Sequence, residues 1–494
     1  MKLKLRKMPI ESQDVITIIN SKTAESLNMH TGDRVVVGYN GKSISSDIGT
    51  TESLVGIKEL AISDEALRYL GAEEGNLVKI TLNHRPRSLP YIMKKLDGFK
   101  LSKKEIFTII EEIVDNSLNE VEIAYFVSGV YEKGMDMEET VNLTDAICRT
   151  GKIISWNGKK IADKHSIGGI AGNRTTPIVV SICAAAGIIM PKTSSRSISS
   201  AAGTADTMEV LTNVDFSAED LKKIVGKVGA CLAWGGALGL APADDKLIRV
   251  ERLLNLDPDS QLIASILAKK LSVGSKYVLI DIPYGPGAKV TKSKALILKK
   301  KFLVVGNKFG LKIKVVLTNG EEPIGNGIGP LLETLDILKV LKRESSPRDL
   351  ENKSIMLSGI LLEMLGKAKK GEGNRKALQI LNSGQAYKKF EEIINAQGRK
   401  IRLIKPGKYR REIFSDKKGK IRRIDNKLIN SLAKILGCPV DKQAGIYLHK
   451  HCKDDVGKGE KIMTLYSNSR INMEEALFFY SKSSSILMNN IADD

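Results

Sequence analysis

Residues 163–177 read DKHSIGGIAGNRTTP, a polar stretch with two adjacent glycines that stands directly before a long uncharged run. Glycines let a backbone turn its N–H groups toward one point, and Lys164, Ser166 and the threonines at 175–176 add donors that suit anionic oxygens. The run that follows, residues 177–190, predicts a buried helix whose N-terminal dipole faces the same anion. The stretch therefore predicts an α/β unit with a phosphate or carboxylate cradle, and tight helix packing is the alternative explanation of the glycine pair.

Length and charge narrow the function classes. A chain of 494 residues with 42% hydrophobic residues is expected to hold several domains, because single cores stop growing near about 250 to 300 residues. The formal net charge is +20, and the basic residues are spread along much of the chain. An anionic small substrate or a generally basic proteome explains this charge as well as nucleic acid does, so we do not expect a nucleic-acid partner.

The cysteines and the N-terminal residues indicate a cytoplasmic protein. The chain has five cysteines, widely spaced and without a C-x-x-C pair, so neither a zinc ribbon nor a disulfide framework is predicted. The first residues, MKLKLRKMPIESQD, are too polar for a signal peptide, and no apolar segment approaches the length of a membrane span. We expect no membrane partner.

An internal repeat marks the N-terminal region. LNMHTGDRVVV at 27–37 is echoed by LGAEEGNLVKI at 70–80, with Gly32 matching Gly75. Each half reads as a polar start, a short helix, a glycine turn and a β-branched strand, which predicts a small pseudo-symmetric barrel of double-psi-like type.

Hydrophobic periodicity then divides the rest of the chain. Residues 86–150 are helical in pattern and include a capping box at Ser102 and Glu105. YVLIDIP (277–283) and LKIKVVLTN (311–319) are candidates for buried strands, and residues 444–467 for a hairpin. The predicted fold is multidomain α/β. Its parts are an N-terminal barrel (1–84), a helical domain (85–155 plus about 242–272), an α/β phosphate-binding domain (156–241 plus about 273–345) and a C-terminal α+β portion (346–494).

Two further segments carry groups that suit a phosphate ester. Residues 193–206, TSSRSISSAAGTAD, combine hydroxyls, one arginine and a glycine. Residues 257–274 read as a helix opened by Asp257 before a proline, with Ser265 and Lys269 one turn apart on one face. A serine-rich surface loop and a simple helix cap are the alternatives for these two segments.

Together these segments resemble the thymidine and pyrimidine-nucleoside phosphorylases, and most closely their archaeal AMP phosphorylase branch. The family patterns are K-H-S-T-G-G, S-x-R…G-T-x-D, D-x7-S-I-x2-K-K and G-x-G-A, and they occur here in order. The matching positions are residues 164–169, Ser194, Arg196, Gly203, Thr204, Asp206, Asp257, Ser265, Lys269, Lys270 and residues 285–289. The resemblance extends over residues 86–490, and the N-terminal barrel resembles the extra domain of the AMP phosphorylase branch.

Departures from the family patterns lie where the base is read. Val250 stands where nucleoside-specific members place a pyrimidine-reading arginine, and the usual G-D after the first motif is Gly172-Asn173. The T-G-G-T stretch of the second motif is residues 201–204, AAGT. These changes argue against thymidine specificity and for the nucleotide-using branch.

The resemblance implies phosphorolysis of nucleoside monophosphates, AMP and also CMP or UMP, with inorganic phosphate as co-substrate, no metal and no cofactor. For the attacking phosphate it implies Lys164, Ser166, Ser194 and Thr204. For the nucleotide it implies Gly169, Ser195, Arg196, Ser197, Ile198, Ser199, Ser200, Thr204, Ser265 and Lys289. Asp257 would be the proton donor, and His165, Thr175 and Lys269 are second-rank candidates.

Two other functions stay open, and a homodimer or larger homo-oligomer is expected. A pyrimidine-nucleoside phosphorylase would not require the 5′-phosphate, and a nucleic-acid or protein-binding module on an inactive core would use the charge without catalysis. His449 and His451 are not expected to bind metal because no third ligand is near in sequence. GNGIGP (325–330) is interpreted as a turn.

Overall fold

The computed structural model describes residues 1–9, 15–82, 85–197, 200–400, 405–483 and 486–490. Two compact units divide these residues, one formed by Met1–Thr150 and Pro242–Leu262 and the other by Gly151–Ala241 and Ile263–Asp494. Across the described residues, no helix combines the length and the apolar character needed to cross a membrane.

The N-terminal region folds as the repeat predicts, into a closed barrel with the strand order β1-β5-β2-β4-β3-β6. Gly32 and Gly75 both have φ of +91°, so the two equivalent turns use the same backbone conformation, which favours glycine. The elements are β1 (Lys2–Met8), β2 (Ile16–Asn20), α1 (Ser21–Ser26), β3 (Arg34–Tyr39), β4 (Lys42–Thr51), β5 (Glu59–Ser63), α2 (Asp64–Leu70) and β6 (Leu77–Leu82).

The rest of the first unit is helical. The predicted capping box is present, since Ser102 accepts from the Glu105 amide and Glu105 accepts from the Ser102 amide. Buried isoleucines of the same helix form one face of the bundle. The helices that precede residue 150 are α3 (Leu89–Leu96), α4 (Lys103–Val114), α5 (Glu120–Lys133) and α6 (Met137–Arg149).

The middle of the chain alternates strands and helices. Its elements are β7 (Ala162–Ser166), α7 (Thr175–Ala185), β8 (Met190–Ser194), α8 (Thr204–Met208), α9 (Ala218–Val228), β9 (Ala230–Trp234), α10 (Pro242–Leu254), α11 (Asp259–Ser272), β10 (Tyr277–Tyr284), α12 (Lys292–Lys308), β11 (Lys312–Asn319), β12 (Gly327–Ile328) and α13 (Pro330–Lys342). Strands β11, β10 and β7 form a parallel sheet in that order, and β8 pairs with β9 in parallel. A parallel bridge from Ile161 to Ile189 continues the pattern between the two sheets.

Three expectations about these elements need correction. The uncharged run at 177–190 is not one helix: α7 ends at Ala185, and Met190 begins β8 after a turn at Gly187, whose φ is +77°. LKIKVVLTN forms β11, but β11 is an edge strand with exposed lysines, whereas β10 is buried almost throughout. The helix that Asp257 is predicted to open is α11, and it begins at Asp259.

The C-terminal portion is α+β, as predicted. Its elements are α14 (Arg348–Met364), α15 (Gly373–Asn382), α16 (Gln385–Ala396), β13 (Tyr409–Phe414), β14 (Gly419–Ile424), α17 (Asn426–Leu436), β15 (Gly445–Leu448), β16 (Asp455–Val456), β17 (Lys461–Ser467), α18 (Arg470–Lys482) and β18 (Ile486–Asn490). Strands β15 and β17 pair antiparallel, as the predicted hairpin requires. Helices α14 to α16 pack their apolar faces with α7 in one hydrophobic core.

Candidate active site

Two loops of the second unit have the same setting. The glycine loop (residues 167–174) joins β7 to α7, and the serine loop (residues 195–203) joins β8 to α8. Each loop therefore follows a parallel strand and ends at the start of a helix, the setting in which many proteins bind anions.

The glycine pair gives the first loop its shape. Gly168 and Gly169 have φ of +88° and +89°, which side chains other than glycine rarely adopt. A Cβ on Gly169 would lie 3.0 Å from the Cβ of Lys289 and 3.1 Å from its backbone nitrogen. The glycine thus also lets the Lys289 segment approach the loop, and it places two predicted nucleotide contacts side by side.

Lys164 lies at the centre of the predicted cradle. Its side chain is almost fully buried, and Nζ donates to the hydroxyls of Thr175, at 2.8 Å, and Thr176, at 3.5 Å. Burial lowers the pKa of Lys164 to about 8; Asp281 and Asp163 oppose this shift, and Lys353 and Arg174 add to it. Three of the residues predicted for a phosphate or carboxylate cradle are therefore in contact, the hydroxyl partners of Lys164 carry no charge, and the cradle itself stays a prediction.

Further buried charges surround Lys164. Asp163 accepts from Lys270 at 2.7 Å and lies 3.5 Å from Lys192, while Asp281 lies 3.0 Å from Lys353. Burial lowers the pKa of Lys270 to about 7. The buried lysines outnumber these two carboxylates, so an anion bound nearby would complete the charge balance.

His165 is neutral in this setting. Burial lowers its pKa well below the ordinary value, and Lys270, Lys192, Lys269 and Lys164 lower it further. The imidazole can make a hydrogen bond, but at neutral pH it carries no acidic proton to give. This favours a binding role over a proton-donor role.

Arg174 connects the two loops. This last residue of the glycine loop is buried, and its Nε donates to Glu333 at 2.5 Å. Its other nitrogens donate to the hydroxyl of Thr204 at 3.2 Å and to the carbonyl of Ala202 at 2.7 Å. Thr204, a predicted phosphate ligand, is therefore positioned by a residue that lies outside the predicted site.

In the serine loop the arginine is paired. Both terminal nitrogens of Arg196 donate to Glu209, at 2.8 and 2.9 Å, and one lies 3.3 Å from Asp206. The guanidinium also stacks 4.8 Å from the centroid of the Trp234 ring. The charge of Arg196 is thus already matched by carboxylates before any ligand binds.

Backbone contacts fix the serine loop tightly. Asp206 accepts from the amides of Ser197, at 2.7 Å, and Gly203, at 2.8 Å. A Cβ on Gly203 would lie 2.4 Å from the carbonyl oxygen of Ser195, so only glycine allows this approach. Ser200 donates to the Ala202 carbonyl, and Ile198 and Ser199 lie outside the described residues.

The remaining predicted residues are distributed between the units. Ser194 ends β8 and donates to Ala233, and Ser166 accepts from Asn173 at 3.4 Å. Ser265 and Lys269 of α11 are 3.5 Å apart, one turn apart as predicted. Asp257 belongs to the first unit, between α10 and α11, and its role stays a prediction.

Comparisons with known proteins place the chain in a family. Residues 89–151 match the family described as "Glycosyl transferase family, helical bundle domain", residues 158–387 the "Glycosyl transferase family, a/b domain", and residues 420–486 the "Pyrimidine nucleoside phosphorylase C-terminal domain". The AMP phosphorylase of Methanocaldococcus jannaschii is 44% identical over 96% of this chain and 95% of its own. That of Pyrococcus furiosus is 43% identical over 97% and 96%. The chain belongs to the AMP phosphorylase family.

A solved structure supports the fold. Anthranilate phosphoribosyltransferase from Thermus thermophilus covers 62% of this chain and 98% of its own, with a TM-score of 0.50 and 16% identity. At that identity the likeness concerns the fold alone. The resemblance to the AMP phosphorylase branch, stated from motifs covering a small part of the chain, is thus confirmed over its length.

Several site residues of this AMP phosphorylase family member lie outside the sequence motifs. Arg174 could have been noticed from its place directly before the threonine pair. Asn426 and Asn430 contact the two loops from more than 200 residues away, and a single sequence carries no signal for that. Among the described residues, no group of three or more His, Cys, Asp or Glu side chains could hold a metal ion, and His449 instead contacts Thr464 at 2.8 Å.

Proposed function

We propose that the protein catalyses phosphorolysis of AMP to adenine and ribose 1,5-bisphosphate. An oxygen of inorganic phosphate forms a bond to the anomeric carbon, the bond from that carbon to the base breaks, and the base leaves with the electron pair and takes a proton. The observation that carries the proposal is the buried Lys164 with its hydroxyl partners in a chain of the AMP phosphorylase family. We include CMP and UMP as further substrates to test.

The attacking phosphate is assigned to Lys164, Ser166, Ser194 and Thr204. The burial of Lys164 supports this, because a charge in a low-dielectric site attracts an anion more strongly than one in water. Arg174 holds the Thr204 hydroxyl, so this ligand needs little reorganisation when phosphate arrives. Inorganic phosphate is a co-substrate, and the mechanism uses no metal and no cofactor.

The nucleotide is assigned to Gly169, residues 195–200, Ser265 and Lys289. For the 5′-phosphate we propose Lys289 or Arg196. Lys289 is brought against the glycine loop by the absence of a side chain at Gly169, and Arg196 lies in the serine loop.

The proton of the leaving base is assigned to Asp257. General acids at such a step contribute about 10²- to 10⁴-fold. His165 is the weaker candidate because its pKa is lowered well below the ordinary value by burial and by surrounding lysines. Thr175 and Lys269 would support Lys164 and Ser265, which they contact.

The test is base release from AMP, CMP, UMP, adenosine and thymidine, each with and without phosphate. We expect phosphate-dependent release from AMP and poor release from adenosine, since a charge-assisted contact to the 5′-phosphate contributes about 1.5 to 3 kcal/mol. Similar kcat/KM for adenosine and AMP would instead support a nucleoside phosphorylase. No release from any of them would favour a binding protein on an inactive core.

We also propose a homo-oligomer, a dimer or larger, that works in the cytoplasm, where nucleoside monophosphates are found. The barrel of residues 1–84 would serve assembly, because the predicted phosphate and acid residues all lie outside it. Deleting the barrel should alter the oligomeric mass or the thermal midpoint. A truncated protein of unchanged mass and stability would contradict the assembly role.

A further inference from the structure

Helix α17 carries two buried asparagines one turn apart. Asn426 begins the helix and Asn430 follows four residues later, so both lie on one face. Asp425 caps the helix by accepting from the amides of Lys427 and Leu428, at 2.8 and 3.1 Å. The cap fixes the helix start, and with it the position of Asn426.

Each asparagine accepts a backbone hydrogen bond from a different loop of the candidate site. The Ala171 amide of the glycine loop donates to Oδ1 of Asn426 at 3.0 Å. The Ala201 amide of the serine loop donates to Oδ1 of Asn430 at 2.9 Å. Ala171 and Ala201 are themselves buried in the same hydrophobic cluster as α17. One helix thus makes a hydrogen bond to each of the two loops.

The start of α17 reaches two more segments of the α/β region. Nδ2 of Asn426 donates to the carbonyl of Gly320, which directly follows β11, at 3.1 Å. A Cβ on Gly287 would lie 3.6 Å from the Asn426 amide, so the segment that carries Lys289 packs against the same helix end. The glycine loop, the Gly320 carbonyl and the Gly287 segment therefore all lie against Asn426, and the serine loop contacts Asn430 one turn later.

We propose that Asn426 and Asn430 are positioning residues of the active site, holding the glycine and serine loops in the spacing that binds phosphate. The proposal rests on the proposed function only for the measurements of kcat and KM, and not for those of phosphate affinity or hydrogen exchange. Removing an acceptor leaves a buried N–H unpaired, and the loop has to move to satisfy it. The displacement would reach Ser166 and Thr204, which flank the two loops.

The experiment compares conservative and disruptive substitutions at Asn430. Asn430→Leu removes the acceptor, whereas Asn430→Asp keeps a carboxyl oxygen that can accept from the Ala201 amide. Leu436→Ala is the matched control, because Leu436 is a fully buried residue of the last turn of the same helix and its loss weakens packing without removing either hydrogen bond. The measurements are KM for phosphate, kcat, the thermal midpoint, phosphate affinity by calorimetry and hydrogen exchange of peptides covering residues 168–174 and 200–204.

We expect Asn430→Leu to raise KM for phosphate roughly tenfold, the size of one lost hydrogen bond, and to speed exchange in the serine-loop peptide. Asn430→Asp should keep KM for phosphate and serine-loop exchange close to the wild-type values. Leu436→Ala should lower the thermal midpoint without changing KM. Equal KM shifts in Asn430→Leu and Leu436→Ala, or unchanged loop exchange in Asn430→Leu, would overturn the proposal. If the wild-type chain does not release adenine from AMP, the proposed function fails, and phosphate affinity and hydrogen exchange of the Asn430 variants still test the positioning role.

Discussion

The glycine loop and the serine loop occupy equivalent places after parallel strands, yet the cation shortly before the first loop, Lys164, and the cation within the second, Arg196, have opposite surroundings. Lys164, which precedes the glycine loop, is buried and donates to uncharged threonine hydroxyls. Arg196 of the serine loop is half-buried and is held by Glu209 through two hydrogen bonds. Lys442 also lies 2.9 Å from Glu209, so this carboxylate is shared by two cations.

This difference gives the two side chains different roles, since Lys164 suits anion binding and Arg196 holds the conformation of its loop. A buried cation without a directly bound carboxylate costs free energy in the empty protein, and an arriving anion recovers that free energy. A matched ion pair has little further attraction to offer, but it holds the backbone in place. Lys164 is therefore suited to bind an anion, whereas the Arg196 pair, together with the paired amides of Ser197 and Gly203, holds the serine loop in one conformation.

The largest effect is expected outside both loops, because neither supplies an acidic proton. If Asp257 protonates the leaving adenine, Asp257→Asn should lower kcat by about 10²- to 10⁴-fold while the AMP affinity and the fold are kept. Asp257 lies two residues before α11, and asparagine has the same shape as aspartate, so a purely structural Asp257 would tolerate the change. Steady-state kinetics with AMP, together with a thermal melt, separate these outcomes. Near-normal turnover by the folded variant would remove Asp257 from the mechanism.

The next effect tests the two loops directly. Lys164→Gln should lower kcat/KM for phosphate about 10- to 100-fold, since a charge-assisted contact is worth about 1.5 to 3 kcal/mol. Arg196→Gln should lower it far less and should instead lower the thermal midpoint, because it breaks the pairing with Glu209. Phosphate titrations give kcat/KM for each variant, and melts give each thermal midpoint. If Arg196→Gln loses as much phosphate affinity as Lys164→Gln, Lys164 is not the main phosphate-binding cation.

The loops also show what a single sequence can predict. The repeat with Gly32 and Gly75 predicts the barrel because both glycines are required locally, by a turn with positive φ. Lys164 and the threonines that follow the glycine loop are predictable for a similar reason, since strand, loop and helix start are contiguous. The prediction of one helix over 177–190 fails although a local signal is present, since Gly187, with a φ of +77°, directly follows the C-cap of α7.

Long-range contacts account for the rest. The pairing of Arg196 with Glu209 spans thirteen residues and does not follow from the motif, because serines and an arginine near a glycine suit a phosphate equally well. Arg174 reaches Glu333 across 159 residues, and Asn430 reaches Ala201 across 229. Such contacts depend on how distant segments pack, and no periodicity or motif spacing within one sequence reports them.

A pH series sharpens the contrast at Lys164. Its pKa in the folded protein is about 8, so the Lys164 ammonium group loses its proton above that pH. KM for phosphate should then rise about tenfold per pH unit. The series should run from pH 7.5 to 9.5, where phosphate stays dianionic, and Lys164→Gln is the control without this dependence. A wild-type KM that is flat to pH 9.5 would show that Lys164 does not need its proton to bind phosphate.

The stability of the unliganded protein should change in the opposite direction. Because the folded pKa of Lys164 lies below the ordinary lysine value of 10.5, the unfolded chain binds more protons between about pH 8 and 10.5. The contribution of Lys164 to the free energy of unfolding therefore rises with pH in this window. Melts of the wild type and Lys164→Gln should converge as the pH rises, with the variant relatively more stable below pH 8.

The smallest effect concerns the glycines that shape the two loops. Gly168 has φ of +88°, and a Cβ added there would meet no atom within 4 Å, so Gly168→Ala meets only backbone strain, about 1 kcal/mol. Gly203 has φ of −91°, which alanine accepts, but its Cβ would lie 2.4 Å from the Ser195 carbonyl oxygen. Gly203→Ala should therefore cost more, about 1 to 3 kcal/mol as for other overpacked sites, and should shift the serine loop. Denaturant melts of the two variants rank the costs. A larger loss for Gly168→Ala would mean that backbone conformation, rather than close approach, limits both loops.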